Sequence, residues 1–535
     1  MAVLNRIIKY MSQICYVRPI RRAATNDEVV SAGSIPVKIL IVSFDGLRPD
    51  LISPELTPNV ERVRRSGTTL SRRRTVYPSE TRVAFPSLVT GATSGKHGMV
   101  GNKYIDRKAV PQLYVDTADA RLIERLNRES NGGLMTAPTL GEILHKAGKS
   151  LAVLATNTPG TTRLFNHQAE AFGHLRFSGH FREACSPNDL LDRAEAHLGP
   201  LPPAPPQGEA DTDGQVWITS AFLDFVWPKL EPDVTIISYG EPDTTSHFHG
   251  TAAAATRDII SFYDAQFGRV LDWWEAEGRA AGVQIIIASD HGHITAHSRV
   301  SVIEELKADG FNPGPAPDTD VDLVVVPGQV GALYLTDRSE NNLGRVVEAL
   351  TERPWCGPIF TAPRNAVEGI APGSFASSLI FADHERAPDV YFSFRADDIV
   401  DEFGLVGRTW YDNARRPGLG VHGGLHPKEL AAVGIVAGAA FRDRGQNSDI
   451  PSGICDFAPT VLHLLGVPIP VSMTGRVLRE VLQNAADLPA IRLEPEVFET
   501  GLNGYRQILR RICVEQTTYL EGGSAASSDI AEAAE

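Results

Sequence analysis

The chain has 535 residues, 42% of them hydrophobic and 22% charged, which makes it globular and long enough for one very large α/β domain or two to three smaller ones. A formal net charge of −14, with no stripe of lysine and arginine interleaved with aromatics, opposes attraction to phosphate backbones and argues against polymeric nucleic acid as a partner. The five cysteines (Cys15, Cys185, Cys356, Cys455, Cys513) are odd in number, scattered and free of C-x-x-C spacing. They support neither a disulfide framework nor a thiolate zinc site, so a metal here would need nitrogen and oxygen donors.

Residues 1–36 form a basic arm, with Arg6, Lys9, Arg18, Arg21 and Arg22 preceding the first acid, Asp27. The arm lacks the apolar centre of a signal peptide, which favours the cytoplasm over export. No apolar run approaches the roughly 18 residues of a membrane span. From residue 37 onward, short β-rich runs recur: VKILIVSFDG (37–46), SLAVLATN (150–157), DVTIISYGEPD (233–243), VQIIIASDHG (283–292) and AAVGIVAG (431–438). They are apolar on both alternating faces, as central strands of a sheet covered on both sides must be. Helical patterns at 58–66, 221–230 and 251–277 lie between them. The expectation is a doubly wound α/β fold, its central sheet mostly parallel with helices on both faces. The core is assigned to 37–304 and 421–490. A smaller α+β lobe is inserted at 305–420, GPLPPAPPQGEADTDG (199–214) reads as a surface loop, and 515–535 reads as a flexible acidic tail.

In such sheets ligands bind beyond the carboxyl ends of the strands, where three acids fall: Asp45, Asp243 and Asp290. Unpaired carboxylates cannot be buried in the sheet itself, so these emerge at its rim, where they can converge. His247 follows Asp243 by four residues, His291 adjoins Asp290, and His422 lies in a glycine-rich loop. Imidazole and carboxylate are what zinc takes when thiolates are absent. Each motif alone also fits an ordinary surface or core pair, and His249, His293 and His426 show histidine recurring nearby without a necessary role. YPSETRVAFPSLVTGATSGKHGMVGN (77–102) likewise reads, by itself, as the cap and first turns of an ordinary helix.

Taken in order, FDGLRPD, YPSETRV, GMVGN, EPDTTSH, SDHG, VHGG and DFAPTVLHLLGVPIP resemble the alkaline phosphatase superfamily, and within it the type I phosphodiesterase/nucleotide pyrophosphatase branch. The resemblance spans about residues 37–482. It implies a hydrolase of small phosphate esters with two divalent ions, zinc foremost, and a threonine that becomes phosphorylated or nucleotidylated. By motif, Asp243, His247 and His422 correspond to the ligands of one ion, and Asp45, Thr81, Asp290 and His291 to those of the other. Thr81 falls at the nucleophile, and Asn102 at the asparagine that hydrogen-bonds a phosphoryl oxygen. Two dications would balance three aspartates and a threonine alkoxide, leaving a neutral cluster that accepts an anionic ester. The resemblance leaves the oligomeric state open, and exported relatives keep a periplasmic or exported location in view.

The match departs at Arg82, where the branch commonly has phenylalanine. Its backbone N–H is expected to serve at the phosphoryl site, while its side chain either meets extra charge on the substrate or points to solvent. The first option suggests a phosphomonoesterase or phosphonate hydrolase as the alternative. A non-catalytic protein that binds a phosphorylated ligand is a further alternative from another class.

Overall fold

The computed structural model describes residues 36–526, apart from 110–111, 319, 327, 329, 413–415, 443–444 and 484–489. The expected basic arm, save Pro36, and residues 527–535 of the expected tail lie outside the described residues.

The central sheet has eight strands. Across it they run Gln446–Ser448, Thr68–Leu70, Gly434–Ala437, Val283–Ala288, Lys38–Phe44, Val234–Tyr239, Leu151–Ala155 and Leu175–Ser178. The five strands from Val283–Ala288 to Leu175–Ser178 are mutually parallel, and Gly434–Ala437 joins them antiparallel. This is the expected doubly wound α/β architecture. Its cause is visible in the alternation of the Lys38–Phe44 strand: Leu40, Val42 and Phe44 enter one buried cluster, and Ile39 and Ile41 the other. With both faces burying apolar side chains, helices must cover both. Helices Pro58–Ser66 and Ala254–Trp273 contribute Val60, Val63, Ile260 and Phe267 to the first cluster, and helix Thr81–Thr90 contributes Val83, Phe85 and Leu88 to the second.

Within 305–420 lies a separate six-stranded sheet, from Pro313–Gly314 to Phe375–Ala376, with its own apolar cluster around Leu333, Val346 and Phe392. It belongs to the same compact unit as the other described residues from 37 onward. A four-stranded sheet crosses the expected lobe boundary by pairing Ile294–Arg299 with Val406–Tyr411 and Gly420–Val421.

The expected tail needs correction. Thr517–Ala526 is a strand, paired antiparallel along Tyr505–Val514, which in turn pairs with Leu493–Leu502. Composition misled because small residues are needed there: a Cβ on Gly523 would meet Leu425 Cδ1 at 2.9 Å. The strand is anchored by the Gly523 N–H donated to Leu425 O at 3.0 Å and by buried Tyr519 and Leu520.

Candidate metal centre and nucleophile

Three strands of the sheet end in the acids. Asp45 follows Lys38–Phe44, Asp290 lies two residues beyond Val283–Ala288, and Asp243 opens the helix Asp243–His249 after Val234–Tyr239. Two of the carboxylates are held by one oxygen each. Asp45 Oδ2 accepts from Asn157 Nδ2 at 2.7 Å, and Asp290 Oδ1 accepts from the N–H groups of Gly46 (2.9 Å) and His291 (3.0 Å). Among the described residues, nothing donates a hydrogen bond to the buried atoms Asp45 Oδ1, Asp290 Oδ2 or Asp243 Oδ1. Burying such acceptors without compensation is costly, and bound cations would remove that cost.

The imidazoles complement them. His247 Nδ1 donates to Gly420 O (2.7 Å), His422 Nδ1 to Ser79 O (2.8 Å), His291 Nδ1 to Gly292 O (3.1 Å) and His293 Nδ1 to Gly46 O (3.0 Å). A carbonyl only accepts, so Nδ1 carries a proton in each ring, and Nε2 is the atom turned toward the carboxylates. From Asp243 Oδ1, Nε2 lies at 3.3 Å in His247, 3.2 Å in His422 and 3.1 Å in His293. His291 Nε2 is 3.2 Å from Asp290 Oδ2, 3.6 Å from Asp45 Oδ1 and 3.1 Å from Thr81 Oγ1. Two groups can therefore hold an ion: Asp243, His247, His293 and His422 in one, Asp45, Asp243 and His291 in the other, with donor atoms within 4.8 Å in each.

Electrostatics mark the same spot. Burial, reinforced by Asp290 and Asp243, pushes the Asp45 carboxyl well above the usual range, and burial pushes Asp290 up to about 6. Asp243 moves the other way: burial opposes ionisation, but His247, His293 and His422 hold it well below. Burial, with His422 adding to it, pushes His291 well below the ordinary imidazole range and so keeps it neutral. Asp45 and Asp290, which resist ionisation, are stabilised as carboxylates by positive charge nearby.

Thr81 is the first residue of its helix and is buried. Asn102 Oδ1 accepts the Arg82 backbone N–H at 3.0 Å, while the Asn102 N–H donates to Glu80 Oε2 at 2.6 Å. In this structure the Arg82 N–H, expected to be available at the phosphoryl site, is engaged by Asn102 Oδ1 and fixes the orientation of that side chain. The Arg82 Nε donates to Thr117 Oγ1 (2.9 Å), and Thr117 Oγ1 donates to Asn102 O (2.6 Å).

Two cavities flank this helix end. One, about 420 Å³, is lined among others by Arg82, Asn102, His247, His422, Tyr334 and Tyr391. The other, about 260 Å³, is lined by Asp45, Thr81, Arg82, Asn157, His180 and Asp243 among others. Arg82 lines both, with its Nε committed to Thr117.

All seven residues assigned to metal by motif thus gather in one place. Two others join them unannounced. Asn157 comes from the end of a neighbouring strand, and a polar residue ending an otherwise apolar run was the available signal. His293, expected to have no necessary role, stands two residues beyond His291, a spacing that puts both side chains on one side of extended backbone. His249 and His426 stay outside: His249 Nε2 pairs with Gly208 O (2.8 Å), and His426 caps the helix Pro427–Leu430.

A mostly parallel sheet with carboxylates and imidazoles converging at its strand ends places the chain in the alkaline phosphatase superfamily. The family model for type I phosphodiesterase / nucleotide pyrophosphatase matches residues 39–397, and the chain belongs to that family. It is similar to mouse ectonucleotide pyrophosphatase/phosphodiesterase family member 7, 25% identical over 271 residues covering 50% of this chain and 52% of that one. A human bis(5'-adenosyl)-triphosphatase is 33% identical over 76 residues, 14% of this chain and 17% of that one. The match spans about half the length of the first of these relatives and less of the second. Human ectonucleotide pyrophosphatase/phosphodiesterase 5 shares the fold, with a TM-score of 0.55 at 19% identity over 84% of this chain and 100% of that one. The murine counterpart, in an inactive variant with a threonine replaced by alanine and in complex with AMP, aligns with a TM-score of 0.54 at 16% identity over 81% and 96%. No helix among the described residues is long and apolar enough to cross a membrane.

Proposed function

We propose that this chain hydrolyses small phosphate diesters or phosphoanhydrides through a covalent intermediate on Thr81, using two divalent ions, zinc foremost. The observation that carries the reading is the set of three buried, unsatisfied carboxylate oxygens around the imidazoles and the Thr81 hydroxyl. Asp243, His247 and His422 would hold one ion, and Asp45, Thr81, Asp290 and His291 the other. When bound, such ions supply positive charge that eases loss of the threonine proton and offsets charge on the phosphoryl oxygens.

The chain's own residues account for the rest. The Thr81 Oγ, its proton lost to solvent, forms a bond to phosphorus as the bond to the leaving oxygen, opposite it, breaks and that oxygen takes up a proton from solvent; water then attacks phosphorus, gives up a proton, and the bond to Thr81 Oγ breaks as that oxygen is reprotonated. Asn102 Nδ2, fixed by the bond its Oδ1 accepts from Arg82, donates to a phosphoryl oxygen, and the helix N-terminus adds its dipole. Two cavities meeting at Arg82 fit a substrate with a group on either side of phosphorus, which favours a diester. The relative that acts on a bis-adenosyl triphosphate and the neighbour in complex with AMP support a nucleotide as one of those groups. The prefix "ecto" in the relatives' names supports an exported location.

A second reading, a phosphomonoesterase or phosphonate hydrolase, is favoured by Arg82, whose cationic fork suits a terminal dianionic group. Turnover of bis-p-nitrophenyl phosphate against p-nitrophenyl phosphate separates them: diester preference surviving Arg82→Ala supports the first. Monoester preference lost in that variant supports the second.

A further inference from the structure

We infer that His293 is a fourth protein ligand to the ion at Asp243, closing that site with three imidazoles and one carboxylate. The inference rests on the two-ion reading and adds a residue that the motif set does not contain. His293 is 1% exposed, and its Nε2 accepts and donates no hydrogen bond among the described residues. That atom points at Asp243 Oδ1 from 3.1 Å, with the ring proton committed on the far side to Gly46 O.

Two donor atoms at that separation fit neighbouring corners of one tetrahedral zinc ion. The ring stands 5.3 Å from His247 and 5.0 Å from His422, centroid to centroid, and those rings aim Nε2 at the same carboxylate oxygen. One dication satisfies all four donors at once.

The backbone makes room for this ring specifically. A Cβ on Gly46 would lie 2.3 Å from His293 Cε1, and Gly46 sits at φ +71°, a conformation that favours glycine. Gly46 therefore supplies the carbonyl that orients His293 and vacates the volume its ring fills.

Four protein donors are what zinc takes in closed sites. Three imidazoles also bias this site toward zinc, nickel or copper and away from magnesium and calcium.

The test titrates metal-free wild-type protein and His293→Gln with Zn²⁺ and Co²⁺, reading affinity by chelator competition, the visible absorption of cobalt, and imidazoles per zinc by X-ray absorption. The inference expects affinity for one ion to fall about 100-fold or more in the variant. It also expects altered cobalt bands and one fewer imidazole, with the other ion unaffected. Two ions bound with unchanged affinity and spectra overturn it while leaving the two-ion reading intact; wild-type protein that takes up no ion overturns both. Should the variant not fold, zinc-loaded wild-type crystals decide: a zinc to His293 Nε2 distance of about 2.0–2.1 Å supports the inference, and one beyond about 3 Å overturns it.

Discussion

The side-chain amide of Asn157 donates to Asp45 Oδ2 at 2.7 Å, and this bond turns the other oxygen of Asp45 toward His291. Outer partners of this kind typically alter metal affinity 10–100-fold. Asn157→Leu, similar in volume but unable to donate, is expected to weaken binding of one ion by about that factor. Zinc competition with a chromophoric chelator measures it, and an unchanged affinity would show that Asp45 is oriented by other means.

Thr81→Ala is expected to abolish turnover while the protein still binds nearly its full complement of metal, because the carboxylates and imidazoles assigned to the ions remain. Thr81→Ser should recover part of the activity. Assay and elemental analysis on the same preparations check both points, and an active alanine variant would sink the covalent mechanism.

Asn102→Ala removes the side-chain amide proposed to donate to a phosphoryl oxygen. Loss of such a donor costs about 10²–10³ in kcat. The expected signature is a fall in kcat with metal content unchanged; a rise in KM alone would mean that Asn102 serves ground-state binding instead.

Glu241 and Glu429 give the metal-free protein a defined pH response. Burial raises Glu241 to about 8 and Glu429 to about 7, from an ordinary 4.5. The folded chain keeps these protons after the unfolded chain has lost them, so stability falls as pH rises from about 5 through 7 to 8 and levels off above. Melting in a chelating buffer should therefore occur at higher temperature at pH 5.5 than at pH 8.5, and Glu241→Gln should flatten the difference. The opposite slope would show that these carboxyls are ionised in the fold.

Truncation after Val514 removes the last strand with buried Tyr519 and Leu520, and with it the bond from the Tyr519 hydroxyl to Asp456 Oδ2 at 2.8 Å. At about 1.5–3 kcal/mol per large buried side chain, the loss amounts to roughly 3–6 kcal/mol. Chemical denaturation of the truncated chain measures it, and stability equal to the full chain would mean that the strand is ornamental.

The strands were legible because burial on both faces leaves unbroken apolar runs, and the acids because a charged residue ending such a run has only the rim to occupy. Thr81, His247 and His422 were legible as parts of motifs. His293 was not, because a histidine two residues past a ligand looks the same in sequence whether it turns toward the site or into the core; the carbonyl of Gly46, 247 positions away, decides it. Arg82 was half legible: its charge was plain, but the commitment of its N–H to Asn102 depends on how the 98–102 turn folds back. The final strand was hidden by glycine, serine and alanine, residues that suit both a loose end and a tight contact.

The bond from His422 Nδ1 to Ser79 O joins positions 343 residues apart. During synthesis, a nascent chain therefore presents its early carboxylates long before the imidazole loop that completes their partner set has left the ribosome. Contacts of such span form slowly, and until they do the acids face one another uncompensated. Metal uptake is thus a report of completed translation: a polypeptide cut short before residue 422 should retain Asp45, Asp243 and Asp290 yet fail to hold two ions.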